Sequence, residues 1–212
     1  MVDATTYDGY IEHFADGSYR ASLSDLLGCS ARAASADAAL EAVTRVIPRY
    51  YDWLRTHDEY TPEVHGPFRA QVVATQEVPA SHRGGFFSSD AIPVSKEDLD
   101  WNVALLDWSY EDLARASGSS AHASFIEALA QEQLWLVSRI EVQTNVPSVG
   151  QLPGGPGDHL RQIWKATVAR LRGVSDEDRE RVIEHEGEQW SLRKVLRCSI
   201  LSAREALDAY HA

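Results

Sequence analysis

From Leu192 to Tyr210 the apolar residues Leu192, Val195, Leu196, Ile200, Ala203, Ala206, Leu207 and Tyr210 recur three and four positions apart. Such spacing predicts an α-helix with one buried face. An amphipathic helix cannot cover that face by itself, so the chain must supply neighbours of the same kind. Helices are predicted over Lys96–Ser117, Ser120–Thr144, Asp158–Arg172 and Ser191–His211. Trp101, Leu105, Trp108 and Leu113 give one of them its apolar side, and Ile126, Leu129, Gln133, Leu136 and Ile140 give another. Ser95, followed by Lys-Glu-Asp, is an N-cap with acids where the helix dipole favours them. The Pro- and Gly-rich stretch Pro147–Gly157 separates the middle pair. The second half of the chain is therefore expected to be a four-helix bundle.

The first third has another period. Tyr7–Phe14 alternates, Asp16-Gly17 marks a turn and Tyr19–Leu23 alternates again, which predicts a β-hairpin. Ser35 is an N-cap for a helical face of Ala39, Leu40, Val43, Val46, Ile47, Tyr50, Tyr51 and Leu54. Pro48 falls inside that face and is expected to end or kink the helix. Phe68–Ala74 reads as a further strand. The order β-β-β-α-β followed by helices makes the chain α+β. Residues 1–76 are expected to form the small domain, 77–94 a linker marked by Gly84-Gly85 and prolines, and 95–212 the bundle.

The formal net charge of −12 argues against binding nucleic acid through its phosphates, which needs clustered cations. A basic protein is the more natural macromolecular partner. No segment is apolar for the length of a membrane span, and Met1-Val-Asp-Ala-Thr-Thr is not a secretory leader, so a cytoplasmic protein without membrane association is expected. Cys29 and Cys198 fall in different predicted domains, so two reduced thiols are expected rather than a disulfide.

Tyr10-Ile-Glu, Asp16-Gly-Ser-Tyr-Arg-Ala-Ser-Leu, Asp25-Leu-Leu-Gly-Cys and Ser35-Ala-Asp-Ala-Ala-Leu together resemble the HicB family, the antitoxin half of a toxin–antitoxin pair. Ala33 and Ala34 stand where that family has a Gly and a small polar residue. Ala128-Leu-Ala-Gln-Glu-Gln-Leu-Trp135-Leu-Val-Ser-Arg139 and Glu188-Gln-Trp190 resemble the DinB family, four-helix bundles of damage-inducible and thiol-transferase proteins. The resemblance implies a triad of metal-binding histidines, at positions occupied here by Ala128, Cys198 and Ser202. Ala128 offers no donor and Ser202 is a poor neutral ligand, so no metal and no cofactor are expected. Gln131, Glu132, Trp135 and Arg139 remain as pocket residues. Cys198 is expected to be a small residue on the core-facing stripe, with the adjacent Arg197 pointing away.

Other clusters read as surface. Glu184-His185-Glu186 with Glu188 is expected to be a solvated acidic loop. His82, His122 and His159 stand apart from one another and are expected at the surface or at helix caps. Glu127 and Glu132 suit acid–base work only if the bundle buries them. Gly154-Gly-Pro-Gly157 lacks the preceding strand and the lysine of a phosphate loop.

The leading expectation is a non-metal, non-catalytic binding or interaction protein, with a small molecule or a basic protein as partner. An alternative is a thiol-dependent transferase acting on small electrophiles through Cys198, Gln131, Glu132 and Arg139, although the metal that lowers the thiol pKa is not replaced. A third reading is an antitoxin-like binder of a basic RNase toxin. The DinB resemblance also implies a homodimer, with Phe86, Phe87 and Trp53 as exposed apolar candidates for its interface.

Overall fold

The computed structural model describes residues 4–59, 61, 67–116, 123–140 and 156–210, which form a mixed α+β chain in two units, 1–87 and 88–212. In the first unit β1 (Thr5–Phe14) and β2 (Tyr19–Leu23) pair antiparallel. Gly17 takes φ +82° in their turn, and Asp16 Oδ1 accepts the Ser18 N–H at 2.9 Å. β3 (Ser30–Ala33) adds to β2, and β4 (Phe68–Val78) returns parallel to β1, giving the order β3-β2-β1-β4. A parallel neighbour requires a crossover, supplied by α1 (Ala36–Thr56), whose N-cap Ser35 accepts the Ala38 N–H. Ile11, Ala21 and Leu23 from the sheet and Val43, Ile47 and Tyr50 from the helix are buried. Pro48 does not end α1 as expected. The buried side chains on either side of it hold the helix against the roughly 3 kcal/mol that an interior proline costs.

The stretch 77–94, read as a linker, is packed. Glu77 and Val78 close β4. Glu12, fully buried, accepts the Gly85 N–H at 2.8 Å and Arg20 Nε at 2.7 Å. A Cβ on Gly85 would stand 2.6 Å from Gln76 Cβ, so the approach of this segment to β4 requires glycine. Phe87 is fully buried and stacks on Tyr10 with ring centroids 4.3 Å apart. Phe87 and Trp53 are thus buried within their own unit, not exposed as expected. Their large apolar area is worth more in the core than at the surface.

The second unit begins with a 3-10 turn, Ser88–Ala91. It continues through α2 (Lys96–Ala116), α3 (Ala123–Ser138), α4 (Pro156–Arg172), a short α5 (Asp176–Glu180), the hairpin β5 (Val182–His185) and β6 (Glu188–Ser191), and α6 (Leu192–Tyr210). Ser95 caps α2 by accepting the Asp98 N–H at 3.0 Å. The long helices pack α2 on α4 and α6, and α3 on α4 and α6. Ile126, Leu129, Gln133, Leu136 and Ile140 are all buried. Trp101, expected on the inner face of α2, is 38% exposed. Of the earlier expectations, His122 and most of the loop Pro147–Gly157 lie outside the described residues, while Pro156 and Gly157 open α4. No helix among the described residues is long and apolar enough to cross a membrane.

The approach to α6 departs from expectation at Glu188. The expected acidic loop is a tight hairpin in which Glu184 and Glu186 are exposed, as expected, and Glu186 and Gly187 both take positive φ, 56° and 79°, the backbone that a two-residue hairpin turn demands. Glu188 is buried and meets Lys194 Nζ at 2.7 Å, itself fully buried and 4.3 Å from the Trp190 ring centroid. Arg197 is buried as well. It is 4% exposed and forks onto Asp90, 1% exposed, at 3.0 and 2.7 Å. The 88–95 segment covers that side of α6: Ser191 Oγ donates to the Asp90 carbonyl, and Arg193 donates to the carbonyls of Ile92 and Pro93. A helix buried on more than one side must pair its charges inside.

Candidate functional site

Ala128, Glu132 and Trp135 stand at intervals of four and three on α3 and so share one face, and Arg139 follows in the turn just after the helix. Opposite them α6 brings Ser202, whose hydroxyl donates to Glu132 Oε2 at 2.9 Å. Both residues are half-buried. Farther along, Arg139 lies over the Trp135 ring at 4.2 Å and 3.8 Å from Glu186 of the hairpin turn, while Trp135 meets Trp190 edge-on at 5.4 Å. The expected residues therefore divide. Glu132 joins Ser202, Trp135 joins Arg139, and Ala128 and Gln131 are exposed. Cys198 is 6% exposed. Glu127 is exposed, which removes it as a buried acid–base partner for Glu132.

Tyr110 of α2 is a second feature of the bundle, one that no local sequence pattern marks. Its ring is 2% exposed, and its hydroxyl is buried with no hydrogen-bond partner among the described residues. Burial pushes its pKa well above that of an ordinary tyrosine, and the Glu132 carboxylate pushes it the same way. The phenol is therefore a neutral donor, not a base. Buried polar groups recur on each long helix of the second unit: Asn102 on α2, Gln133 on α3, Thr167 on α4 and Ser199 on α6 are each at most 2% exposed. Gln133 was readable in the sequence as the one amide on an apolar stripe. Its Nε2 donates to the Ser199 carbonyl at 3.5 Å.

On its outer side Tyr110 forms part of a groove of about 680 Å³ between α2 and α4. Tyr110 and Trp164 stack at 4.6 Å and nearly parallel, and Trp164 Nε1 donates to Asp107 Oδ1. Leu160 and Val168 add apolar wall, and Arg115, Arg161, Lys165 and Arg172 line it with cations. His159, expected at the surface or a cap, is half-buried with both ring nitrogens buried and unpartnered among the described residues.

Chemically, the half-buried Glu132–Ser202 pair offers carboxylate and hydroxyl oxygens that can accept hydrogen bonds from a ligand. Among the described residues no three His, Cys, Asp or Glu side chains gather as a metal-ligand set. Compared with family models, curated proteins and solved structures, the chain finds no match in any of the three.

Proposed function

We propose that this chain is a non-metal, non-catalytic binding protein, an HicB-like unit joined to a DinB-like bundle whose triad has been lost. The observation that carries this reading is the hydrogen bond from Ser202 to Glu132: a hydroxyl at a triad position is turned to a neighbouring carboxylate, where a metal ligand would have to present a lone pair. Ala128 adds no donor. The order β1-β2-β3-α1-β4 and the four long helices of the second unit support the two-family reading. A small molecule in the bundle, or a basic protein drawn by the net charge of −12, is the partner that this chemistry suits. A thiol-transferase reading has less support, because Cys198 is buried and no His lies near it in sequence to activate it.

Thermal unfolding with and without added zinc or nickel tests the reading. A metal bound by the native state at a hundredfold excess over its Kd adds about 2.7 kcal/mol, a rise of several degrees. No rise is expected. A rise that disappears in Cys198→Ala overturns the proposal.

A further inference from the structure

The α2–α4 groove has an occupant class written into its lining. Its volume of about 680 Å³ lies within the roughly 300–1,000 Å³ usual for small-molecule sites. Its wall is aromatic and aliphatic: Tyr110 stacked on Trp164, with Leu160 and Val168 beside them. Its charge runs against that of the chain, since four cations line it with only two carboxylates, Asp107 and Glu111, in a protein of net charge −12. Asp107 accepts from Trp164, Arg115 is paired to Asp112 and Arg161 to Asp158. Lys165 and Arg172 have no carboxylate partner among the described residues. They lie seven positions apart on α4, about 10 Å along the helix, beside the groove that Trp164 and Val168 line.

We propose that this groove binds a small organic anion with an apolar, aromatic body, the body laid against the Tyr110–Trp164 stack and the acidic group met by Lys165 and Arg172. The inference deepens the binding reading above by naming a ligand class. Aromatic carboxylates and sulfonates fit that class: the flat ring finds a flat wall, and the anion finds cations that no protein carboxylate neutralises.

Two fluorescent probes that differ only in charge test it: 1-anilinonaphthalene-8-sulfonate and the uncharged N-phenyl-1-naphthylamine, titrated into the full chain. The sulfonate is expected to bind saturably, and the neutral probe about tenfold more weakly. Lys165→Glu combined with Arg172→Glu should weaken the sulfonate about tenfold and leave the neutral probe unchanged, while Trp164→Ala should weaken both. Both cations are exposed, so the variants should unfold at the parent's temperature, and the milder pair Lys165→Gln with Arg172→Gln should give a smaller loss in the same direction. Equal binding of the two probes, or sulfonate binding that ignores the charge reversal, overturns the groove assignment and leaves the non-metal reading standing. Metal found in the purified protein overturns that reading and leaves the probe result untouched.

Discussion

Asp90→Ala should be among the most damaging single substitutions in the second unit. The carboxylate meets Arg197 Nε at 3.0 Å and Nη2 at 2.7 Å, with Asp90 1% and Arg197 4% exposed. Removing it strands a guanidinium that water cannot reach, and breaking a buried pair in this way costs about 3–5 kcal/mol. Arg161→Ala is the matching control. Its partner Asp158 is 3.1 Å away, but the two side chains are 55% and 57% exposed, and pairs of that kind are worth about 0–1 kcal/mol. Burial, not distance, decides between them. At about 2–4 °C per kcal/mol for a chain of this size, Asp90→Ala should lower the unfolding temperature by roughly 6–20 °C and Arg161→Ala by only a few degrees. Urea unfolding followed by tryptophan fluorescence reports mainly on this unit, because Trp53 alone of the six tryptophans lies in the other. Replacing both partners with apolar residues, Asp90→Leu with Arg197→Met, should recover much of the loss. Equal losses for Asp90→Ala and Arg161→Ala would refute the reasoning.

Gly85→Ala should cost about 1–3 kcal/mol in the first unit, because the new Cβ would stand 2.6 Å from Gln76 Cβ; a variant as stable as the parent to urea would mean that the segment sits farther from β4. Ser202→Ala should cost about 1 kcal/mol, since Glu132 is only half-buried and water can replace the lost hydroxyl; a loss of 3 kcal/mol or more would show that the pair is far drier. Tyr7, held up by burial and its hydrogen bond with Tyr51, and Tyr110 both have raised folded pKa values. Their contribution to stability is full below the ordinary tyrosine pKa near 10 and is lost as pH climbs from there towards the folded values, because only the unfolded chain ionises. Absorbance titration of the native protein at pH 11 should therefore leave at least these two tyrosines protonated until urea is added, and complete ionisation before unfolding would contradict this.

The readable parts of the sequence were those in which a local pattern and a local structure coincide. Tyr7–Leu23 alternates around Asp16-Gly17 and forms a hairpin, Ser35 caps α1, and the stripe of α6 is buried as its spacing demands. Tertiary pairing was not readable. Nothing near Arg197 in sequence announces Asp90, which lies 107 positions away, so its side chain could be placed only as pointing away from the Cys198 face. Glu186-Gly187 was missed as a hairpin turn because acids surround it, although a glycine at the second turn position was the available sign. The groove needs α2 and α4 side by side, and Tyr110 shows its role only when Trp164 is stacked on it and Glu132 is brought near. Of the candidate site, Gln131, Glu132, Trp135 and Arg139 were singled out by the DinB resemblance and not by spacing, while the exposure of Gln131 and the separate contacts of the others depend on which residues α6 and the hairpin place opposite.

Elemental analysis of the full chain, purified without chelator and without a metal-affinity resin, tests most directly the proposal that this is a non-metal protein. With Ala128, Cys198 and Ser202 at the positions proposed to have lost their ligands, the protein should contain zinc and nickel well below one equivalent per chain. Near-stoichiometric metal that falls away in Cys198→Ala would contradict this, and would make Cys198 a ligand of a working centre.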